Sequence, residues 1–465
     1  MSSLSESSIL AGAAGGAADT TYTIDQSIRF NDNDSPALKK TYSGAGTEET
    51  FTFSCWVKRG NTGASLGGAG NYGLTLFSGG ADVSNYGEIR FESSGYGTQD
   101  SLFFYSSASG SINMQLATNR VFRDTTAWYH IVCVMDTTNI ISSERLRMYI
   151  NGQRETSFNA ETYPAKDTAS NFNTASEHGV GVFAVSTDTR HFDGYLAEIH
   201  FLDGYAYGPE FFGEFEENGI WIPKRYTGSY GTNGFKIDGR DSNDLGDDES
   251  GQNNDYAATG LAAHDQVLDS PTNNFCTGLP RGVGNATGVT FSEGNLTGKT
   301  SGTAGNWVSS IPVDSGKWYF EVNNHANGSG NNYGIGQTPD GSYHHFALGS
   351  GGNQINDYDI IVNTGSSGSI VGYKLDFDAG TLTHTTDGTS YSSTGSLTSG
   401  MSYAAFARLG SSSGHVVFNF GQDSTFGGLE TAGGNSDSNG IGDFYYNVPS
   451  GFLAICTKNL FSSGG

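Results

Sequence analysis

The chain has 465 residues, of which 68 are glycine and only 9 are proline, and its formal net charge at pH 7 is −25. Its 29 Phe, 24 Tyr and 5 Trp exclude a disordered polymer, because such chains are poor in aromatic residues. The acidic balance and the absence of a long basic run exclude nucleic acid and anionic lipid as partners. The glycine content, about twice the usual usage, favours short strands joined by tight turns.

The first half of the chain is predicted to be a β-sandwich that follows a short arm. Residues 1–21 are rich in Ser, Ala and Gly and cannot bury a core, so we expect an anchoring arm. Between 22 and 223, short runs alternate apolar and polar residues, and Asn151-Gly152 is a strong hairpin signal. The best helix candidate is 208–217, with Pro209 near its start. The runs are TYTIDQSIRF, TFTFSCWVKRG, YGLTLFSGG, GEIRFESS, DSLFFYSS, NMQLATNRVF, WYHIVCVMD, RLRMYINGQRETSF and GYLAEIHFLDGYAY.

The second half is predicted to hold a different β-sandwich. An acidic linker and loop are expected over 224–287, a second set of strands over 288–460, and a short tail over 461–465. The turn Asp378-Ala379-Gly380 predicts a hairpin between two of these strands. The fold class is therefore all-β, with two antiparallel β-sandwich (jelly-roll) domains in tandem after the N-terminal arm.

Two sets of motifs resemble known families. The strand WYHIVCVMD, followed by the hairpin RLRMYINGQ, resembles the concanavalin-A-like jelly roll of laminin-G type, as do SIRFNDNDSPALKKT, FTFSCWVKRG and FDGYLAEIHFLDG. The second block resembles a SPRY domain through DSGKWYFEV, YGIGQ, IVGYKLDFDAGTLTHTTDG, YAAFA, VVFNFGQ and VPSGFLAICTKNL. A small-residue arm followed by this pair of domains resembles structural and tail fibre proteins of marine tailed bacteriophages.

The resemblance implies a non-enzymatic virion protein, either a tail fibre or a surface appendage, assembled in the host cytoplasm. Its expected partners are other virion proteins, bound through the arm, and a host-surface glycan, and we expect a homo-oligomer. A capsid decoration protein without a receptor role is the first alternative. No run approaches the roughly 18 apolar residues that cross a membrane, so we expect no membrane insertion.

A polysaccharide-degrading enzyme is the disfavoured alternative. Glycosidases of the jelly-roll superfamily use E-x-D-x-x-E on one strand, which places alternate carboxylates on one face. The sequence has no such motif, and the runs from Glu214 to Glu217 and from Glu198 to Asp203 have the wrong spacing. Gly-x-Ser-x-Gly with plausible partners and HExxH are absent as well, so we predict no catalytic residues and no organic cofactor.

An acid-rich loop is the best candidate for a metal site. Its carboxylates could supply the hard oxygens that Ca²⁺ prefers, although the EF-hand pattern fails at Leu245 and Gln252. A solvated acidic loop is the alternative interpretation. The candidate ligands are Asp241, Asp244, Asp247, Asp248 and Glu249.

Tyrosines in loops are the candidate glycan contacts. A tyrosine ring offers a flat apolar face and a hydroxyl, which suits sugar rings, although many tyrosines will simply be sheet-surface residues. The adjacent histidines of Tyr343-His344-His345 are expected to point to opposite faces, so they should not share a metal. The candidates are Tyr72, Tyr86, Tyr96, Tyr343, His344 and His345.

Overall fold

The computed structural model describes residues 22–62, 73–93, 97–185, 189–280, 288–327, 331–338, 359–362, 367–410 and 413–463. These residues form two compact units. Among the described residues, the first unit comprises the chain from Tyr22 to Gln266 together with Ser270–Thr272, and the second comprises Val267–Asp269 and the chain from Asn273 onward. The N-terminal arm and the candidates Tyr72, Tyr96, Tyr343, His344 and His345 lie outside the described residues.

The first unit is a sandwich of two antiparallel sheets, as the alternating runs predict. One sheet, here called the front sheet, has the order β10-β9-β8-β3-β13-β1, and β16 also pairs with β13. The other, the back sheet, has the order β11-β7-β6-β5-β4-β12-β2-β17. The strands are β1 (Ser27–Phe30), β2 (Ala37–Thr41), β3 (Thr50–Arg59), β4 (Gly73–Asp82), β5 (Asn85–Glu92), β6 (Ser101–Ala108), β7 (Ser111–Val121), β8 (Tyr129–Asp136), β9 (Leu146–Ile150), β10 (Gln153–Arg154), β11 (Phe158–Thr162), β12 (Glu177–Val180), β13 (Gly194–Asp203), β14 (Gly213–Phe215), β15 (Trp221–Pro223), β16 (Phe235–Ile237), β17 (Ala257–Thr259) and β18 (Gln266–Val267).

The second unit also consists of antiparallel sheets. One sheet has the order β19-β20-β29-β22-β25-β26-β27, with β30 pairing in parallel with β22, and the other has the order β21-β28-β23-β24. One α-helix, α1 (Thr457–Ser463), occurs in the described chain. The strands are β19 (Val289–Ser292), β20 (Thr297–Thr300), β21 (Gly305–Val308), β22 (Lys317–Asn327), β23 (Asn332–Thr338), β24 (Asp359–Val362), β25 (Ser369–Asp376), β26 (Thr381–Thr385), β27 (Ser392–Ser396), β28 (Ser402–Leu409), β29 (Gly414–Asn419) and β30 (Leu453–Ala454).

Both predicted hairpins are present. Asn151 and Gly152 have φ angles of 48° and 76°, the left-handed values that a two-residue turn with right-handed twist requires, and they join β9 to β10. A Cβ at Gly152 would lie 2.3 Å from the Trp221 ring, so this glycine is also required by packing. In the second unit, the turn ending at Gly380 joins β25 to β26, with Asp376 opposite Thr381.

The prediction of a helix over 208–217 is wrong. Only a 3-10 turn, Pro209–Phe211, forms there, and the chain then enters β14, which pairs with β15. The Trp221 ring packs 2.4 Å from where a Cβ at position 213 would lie, so Gly213 is needed for the hairpin. Tertiary packing of a large ring therefore overrides the weak local preference for helix.

Residues 224–287 were expected to form a linker, but about the first forty of them are part of the folded first unit. Its strand β16 extends the front sheet beside β13, and β17 extends the back sheet beside β2. Phe235, Ile237 and Tyr256 are almost fully buried in the core of the first unit. The physical reason is the alternation of a few apolar residues within polar sequence, which is enough for a strand that completes an existing sheet.

Candidate functional site

The acidic loop uses its carboxylates for local hydrogen bonds. Asp248 is buried and accepts hydrogen bonds from the backbone N–H groups of Lys236 and Asn254, both at 2.8 Å. Exposed Asp241 accepts from Asn243, and Glu249 pairs with Arg240 at 3.3 Å. Within the described ranges, no three His, Cys, Asp or Glu side chains are arranged to hold a metal ion. The geometry of Asp248 is therefore that of a loop-ordering residue.

A narrow polar crevice lies on the outer face of the front sheet. It is lined on one side by residues of β3, β8 and β13, and on the other by Phe212, Pro223 and Lys224. The crevice has no room for a water molecule between its walls. The polar groups inside it are Tyr22, Ser54, His130, Glu198 and His200. They contact one another and also Trp221, Tyr230 and Lys236.

Ser54 and His130 form a serine–histidine pair whose proton arrangement prevents nucleophile activation. Ser54 Oγ lies 2.9 Å from His130 Nε2, and the Trp221 indole N–H donates to His130 Nδ1 at 3.0 Å. Because an indole can only donate, Nδ1 must be unprotonated, so the proton of the neutral ring is on Nε2 and is donated to Ser54. Burial lowers the pKa of His130 to about 3, which keeps the ring neutral. His130 therefore cannot accept the Ser54 proton as the base of a hydrolase would.

The second half of the crevice is an ionised network centred on Glu198. A β-bulge in β13 gives Glu198 a φ of 46° and turns it toward the same side as His200. Its carboxylate accepts from His200 Nε2 at 3.0 Å and from Tyr22, and lies 3.2 Å from Lys236 Nζ. Burial alone would raise the pKa of Glu198, but the His200 hydrogen bond and charge, with Lys236, lower it to about 2. Glu198 is therefore ionised and unsuited to act as a general acid.

A second polar cluster, the back-face cluster, lies on the outer face of the back sheet. Residues 87, 89 and 91 of β5 face the core, which turns Glu88, Arg90 and Glu92 to the opposite face. Arg90 bridges the two glutamates, donating to Glu88 at 2.7 Å and to Glu92 at 2.8 Å. Glu88 also accepts from Arg190 of the loop after β12. Both Arg90 terminal nitrogens and both glutamates are paired, and only Arg90 Nε has no hydrogen-bond partner in the cluster.

Aromatic rings surround the back-face cluster. Tyr105 donates to Glu88 at 2.7 Å, and its hydroxyl lies 3.1 Å from that of Tyr86. The Arg90 guanidinium stacks 4.9 Å from the centre of the Tyr105 ring, and Tyr86 packs edge-on against Phe183 at 5.0 Å. Tyr86, a candidate glycan contact from the sequence, is half-buried and lies at the accessible edge of the back-face cluster.

The back-face cluster can bind but has no evident acid catalyst. Burial would raise the pKa of Glu88, but Arg190 and Arg90 together lower it, so this carboxylate stays ionised. Its four accepted hydrogen bonds, which also include Thr75 at 2.6 Å, leave it saturated. Glycoside hydrolysis needs one carboxyl that carries a proton, and Glu88 does not provide it.

Sequence reasoning missed most of these residues, although one signal was available. The run GEIRFESS has Glu88, Arg90 and Glu92 at every second position. Because side chains alternate between the two faces of a strand, these three lie on the same face. The crevice had no comparable signal. Ser54, His130 and His200 come from three strands far apart in sequence, and nothing local marks the bulge at Glu198.

Comparison with known proteins identifies the class of the first unit. A family model described as the Concanavalin A-like lectin/glucanases superfamily, Laminin_G_3, matches residues 30–206. This match and the two-sheet architecture define a concanavalin-A-like jelly roll of laminin-G type, as the sequence motifs predict. No curated protein matches the chain.

Solved structures show distant similarity. A protein of proposed carbohydrate-binding function from Bacteroides ovatus is 13% identical, with a TM-score of 0.33 over 51% of this chain and 58% of its own length. A heptameric SAP-like pentraxin from Limulus polyphemus is 15% identical (TM-score 0.27; 40% of this chain and 80% of that chain). The SPRY domain of human HERC1 is 14% identical (TM-score 0.20; 26% and 87%). Identities and scores this low identify neither a shared ligand nor a shared activity.

Among the described residues, none of the helices has the length and apolar character needed to traverse a bilayer.

Proposed function

We propose that the jelly roll of the first unit binds carbohydrate without cleaving it. The observation that carries this proposal is the back-face cluster, in which half-buried Tyr86 and partly exposed Arg190 lie beside the ion-paired Glu88–Arg90–Glu92 network. Ion pairs buried in this way contribute little to stability relative to apolar packing, so a binding role explains them better than a folding role. The lectin/glucanase family match over residues 30–206 supports the same ligand class.

Binding is favoured over hydrolysis by the protonation of the acidic groups. Glu88 has a lowered pKa because Arg190 and Arg90 lie against it. Glu198 has a lowered pKa because it accepts a hydrogen bond from His200 and lies 3.2 Å from Lys236. The Ser54–His130 pair has its proton on the wrong nitrogen for activating a nucleophile. Neither Glu88 in the back-face cluster nor Glu198 in the crevice is therefore suited to protonate a glycosidic oxygen.

The larger context we propose is the virion of a tailed phage, with the protein as a tail fibre or surface appendage that binds a host-surface glycan. This proposal is supported by the order of the sequence motifs: small-residue arm, jelly roll, SPRY-like block. In it the arm binds other virion proteins and the chain forms a homo-oligomer. A capsid decoration protein is the alternative, and locating the chain in an electron cryomicroscopy map of whole particles distinguishes the two.

The carbohydrate proposal is tested by glycan-array binding of the full chain, with reducing-end release assayed on the same glycans. We expect retention on at least one glycan class, no released reducing ends, and at least tenfold weaker retention for Tyr86→Ala. Tyr163→Ala is the matched control, because Tyr163 is also half-buried but hydrogen-bonds only to neighbouring Glu161. Absence of retention on every glycan, or release of reducing sugar, would contradict the proposal.

A further inference from the structure

Three aromatic rings form a stacked column on the opposite face of the first unit. The Tyr205 and Tyr207 ring centres are 5.4 Å apart at 27°, and those of Tyr207 and Phe211 are 4.2 Å apart at 14°. The segment that carries the column leaves β13 and packs over the outer face of the front sheet, against Val132 and Leu202. The column is therefore separated from the back-face cluster by the full thickness of the sandwich.

The column is held in place by backbone hydrogen bonds rather than by its own side chains. Thr52 Oγ accepts from the Tyr207 N–H at 2.9 Å and donates to the Tyr205 carbonyl at 2.8 Å. Arg147 donates to the carbonyl of Ala206 at 3.4 Å. A surface fixed before binding loses little entropy when a ligand arrives, which favours a ligand site over an accidental cluster.

The rings are accompanied by carboxylates. Phe211 is 40% exposed, and the neighbouring side chains of Glu210 and Glu214 are exposed as well. A Cβ at Gly208 would lie 2.3 Å from Glu210 Oε2, so the carboxylate folds back beside the backbone between Tyr207 and Phe211. The surface thus presents apolar rings and hydrogen-bond acceptors side by side.

This combination selects among ligand classes. The cores of protein–protein interfaces are depleted in glutamate, so exposed carboxylates beside the rings disfavour a protein partner. A sugar ring presents an apolar C–H face for stacking and hydroxyl donors for carboxylates, and thus complements both parts of the surface. Lys224 lies 3.9 Å from Glu214 and offsets part of the local negative charge, but Glu210 and a chain of net charge −25 still disfavour anionic sugars.

We infer that the Tyr205–Tyr207–Phe211 column is a second carbohydrate subsite, specific for neutral glycans. The inference rests on the proposed carbohydrate-binding function but uses a different face and different residues. Phe211 supplies the stacking surface with the ring face that does not contact Tyr207, and Glu210 accepts sugar hydroxyls. Neutral glycans that present an apolar ring face are the expected ligand class, because the stacked column leaves an exposed face of Phe211 for one sugar ring.

The experiment compares full-length variants on immobilised laminarihexaose, cellohexaose, mannohexaose and, as the charged counterpart, a polygalacturonate oligomer. We expect wild-type retention on a neutral oligosaccharide, at least tenfold weaker retention for Phe211→Ala, and several-fold weaker retention for Glu210→Gln. Phe461→Ala is the matched control, because Phe461 is 46% exposed and lies in α1 of the second unit. Unchanged thermal melting of each variant excludes loss of fold.

The outcomes separate this inference from the proposed function. Neutral-glycan retention that depends on Tyr86 but not on Phe211 overturns the column subsite and leaves the proposed function standing. Stronger retention on polygalacturonate than on the neutral probes also overturns the inference. A change of oligomeric state in Phe211→Ala, with glycan retention unaffected, would assign the column to a protein contact instead. Failure of the wild type to bind any glycan on the wider array overturns both proposals.

Discussion

Glu198 in the first unit and Glu321 in the second are both buried glutamates, yet their acidities shift in opposite directions. The pKa of Glu198 falls to about 2, whereas the pKa of Glu321 rises to about 7. Burial by itself raises the pKa of both carboxyl groups. The difference lies in the partners: Glu198 has His200 and Lys236, whereas Glu321 has only neutral donors, the backbone N–H groups of Tyr445 and Tyr446 and the side chains of Tyr319 and Asn419.

The comparison shows that hydrogen-bond count does not determine the charge of a buried acid. Glu321 accepts from four donors, at 2.8 to 3.1 Å, and its pKa still rises. A cation at hydrogen-bond distance adds a long-range attraction that dipoles do not match, and this attraction outweighs the cost of burial at Glu198. Neutral donors hold the chain after β29 against its sheet through Glu321, whereas cations hold Glu198 in its ionised state.

The largest expected effect comes from removing the cation. In Lys236→Met, the buried carboxylates of Glu198 and Asp238 both lose the ammonium that lies 3.2 Å and 2.9 Å from them, and we expect a loss of about 3–5 kcal/mol in the free energy of unfolding at pH 7. Urea denaturation followed by tryptophan fluorescence measures it. Lys166→Met is the control, since its 2.7 Å pair with Asp167 is exposed and should contribute at most about 1 kcal/mol. Equal losses in the two variants would contradict the explanation.

The pH dependence of stability should differ between the two glutamates. Folding raises the pKa of Glu321 from its ordinary value of 4.5 to about 7. Its protonated form therefore contributes fully to the free energy of unfolding below pH 4.5, and this contribution is lost as the pH rises through 7. Glu198 does the reverse: its contribution is present above pH 4.5 and is lost as pH falls through 2.

Glu321→Gln should therefore remove a decline of roughly 3 kcal/mol between pH 4.5 and 7, the product of about 2.5 pKa units and 1.36 kcal/mol each. Urea titrations at half-unit pH steps give the difference between variant and wild type. Glu198→Gln is the internal control, because its difference from wild type should change only below pH 4.5. A difference curve for Glu321→Gln that stays constant over pH 4.5–7 would show that Glu321 is ionised throughout.

The smallest expected effect concerns the neutral pair beside Glu198. Ser54→Ala removes one hydrogen bond from His130 and should cost about 1 kcal/mol, in line with a single buried neutral bond. Because His130 donates to Ser54, neither the wild type nor the variant should react with a fluorophosphonate probe. Mass spectrometry of the tryptic digest provides the readout. Labelling of Ser54 in the wild type would refute the proton arrangement fixed by Trp221.

The parts of the fold that were predictable are those encoded by local patterns. The alternation in WYHIVCVMD and the Asn151-Gly152 turn place β8, β9 and β10 correctly, because strand faces and two-residue turns depend on neighbouring residues. The helix over 208–217 failed because Trp221, several residues away, competes for the same segment. The full extent of the first unit was missed because β16 and β17 are only three residues long and gain their stability from the sheets they join.

The candidate site divides in the same way. Tyr86 was named from the sequence as a glycan contact, and the structure places it beside the back-face cluster, but its contact with a glycan stays a prediction. The alternation of Glu88, Arg90 and Glu92 is visible in the sequence. It becomes a polar cluster only in the folded chain, where Tyr105 of β6 and Arg190 of the loop after β12 contact Glu88. The crevice could not be predicted, because the proton position on His130 depends on a tryptophan ninety-one residues later in the chain.

By itself, the sequence determined the fold class and the two hairpins, because each is a property of residue order or composition. Only the tertiary structure decided which buried carboxyl groups are ionised and which keep a proton that they could donate. Glu198 and Glu321 look alike in sequence, each within an alternating strand, and differ only in which side chains the folded chain brings within 3.2 Å. Electrostatic energy depends on those distances, and local sequence does not contain them.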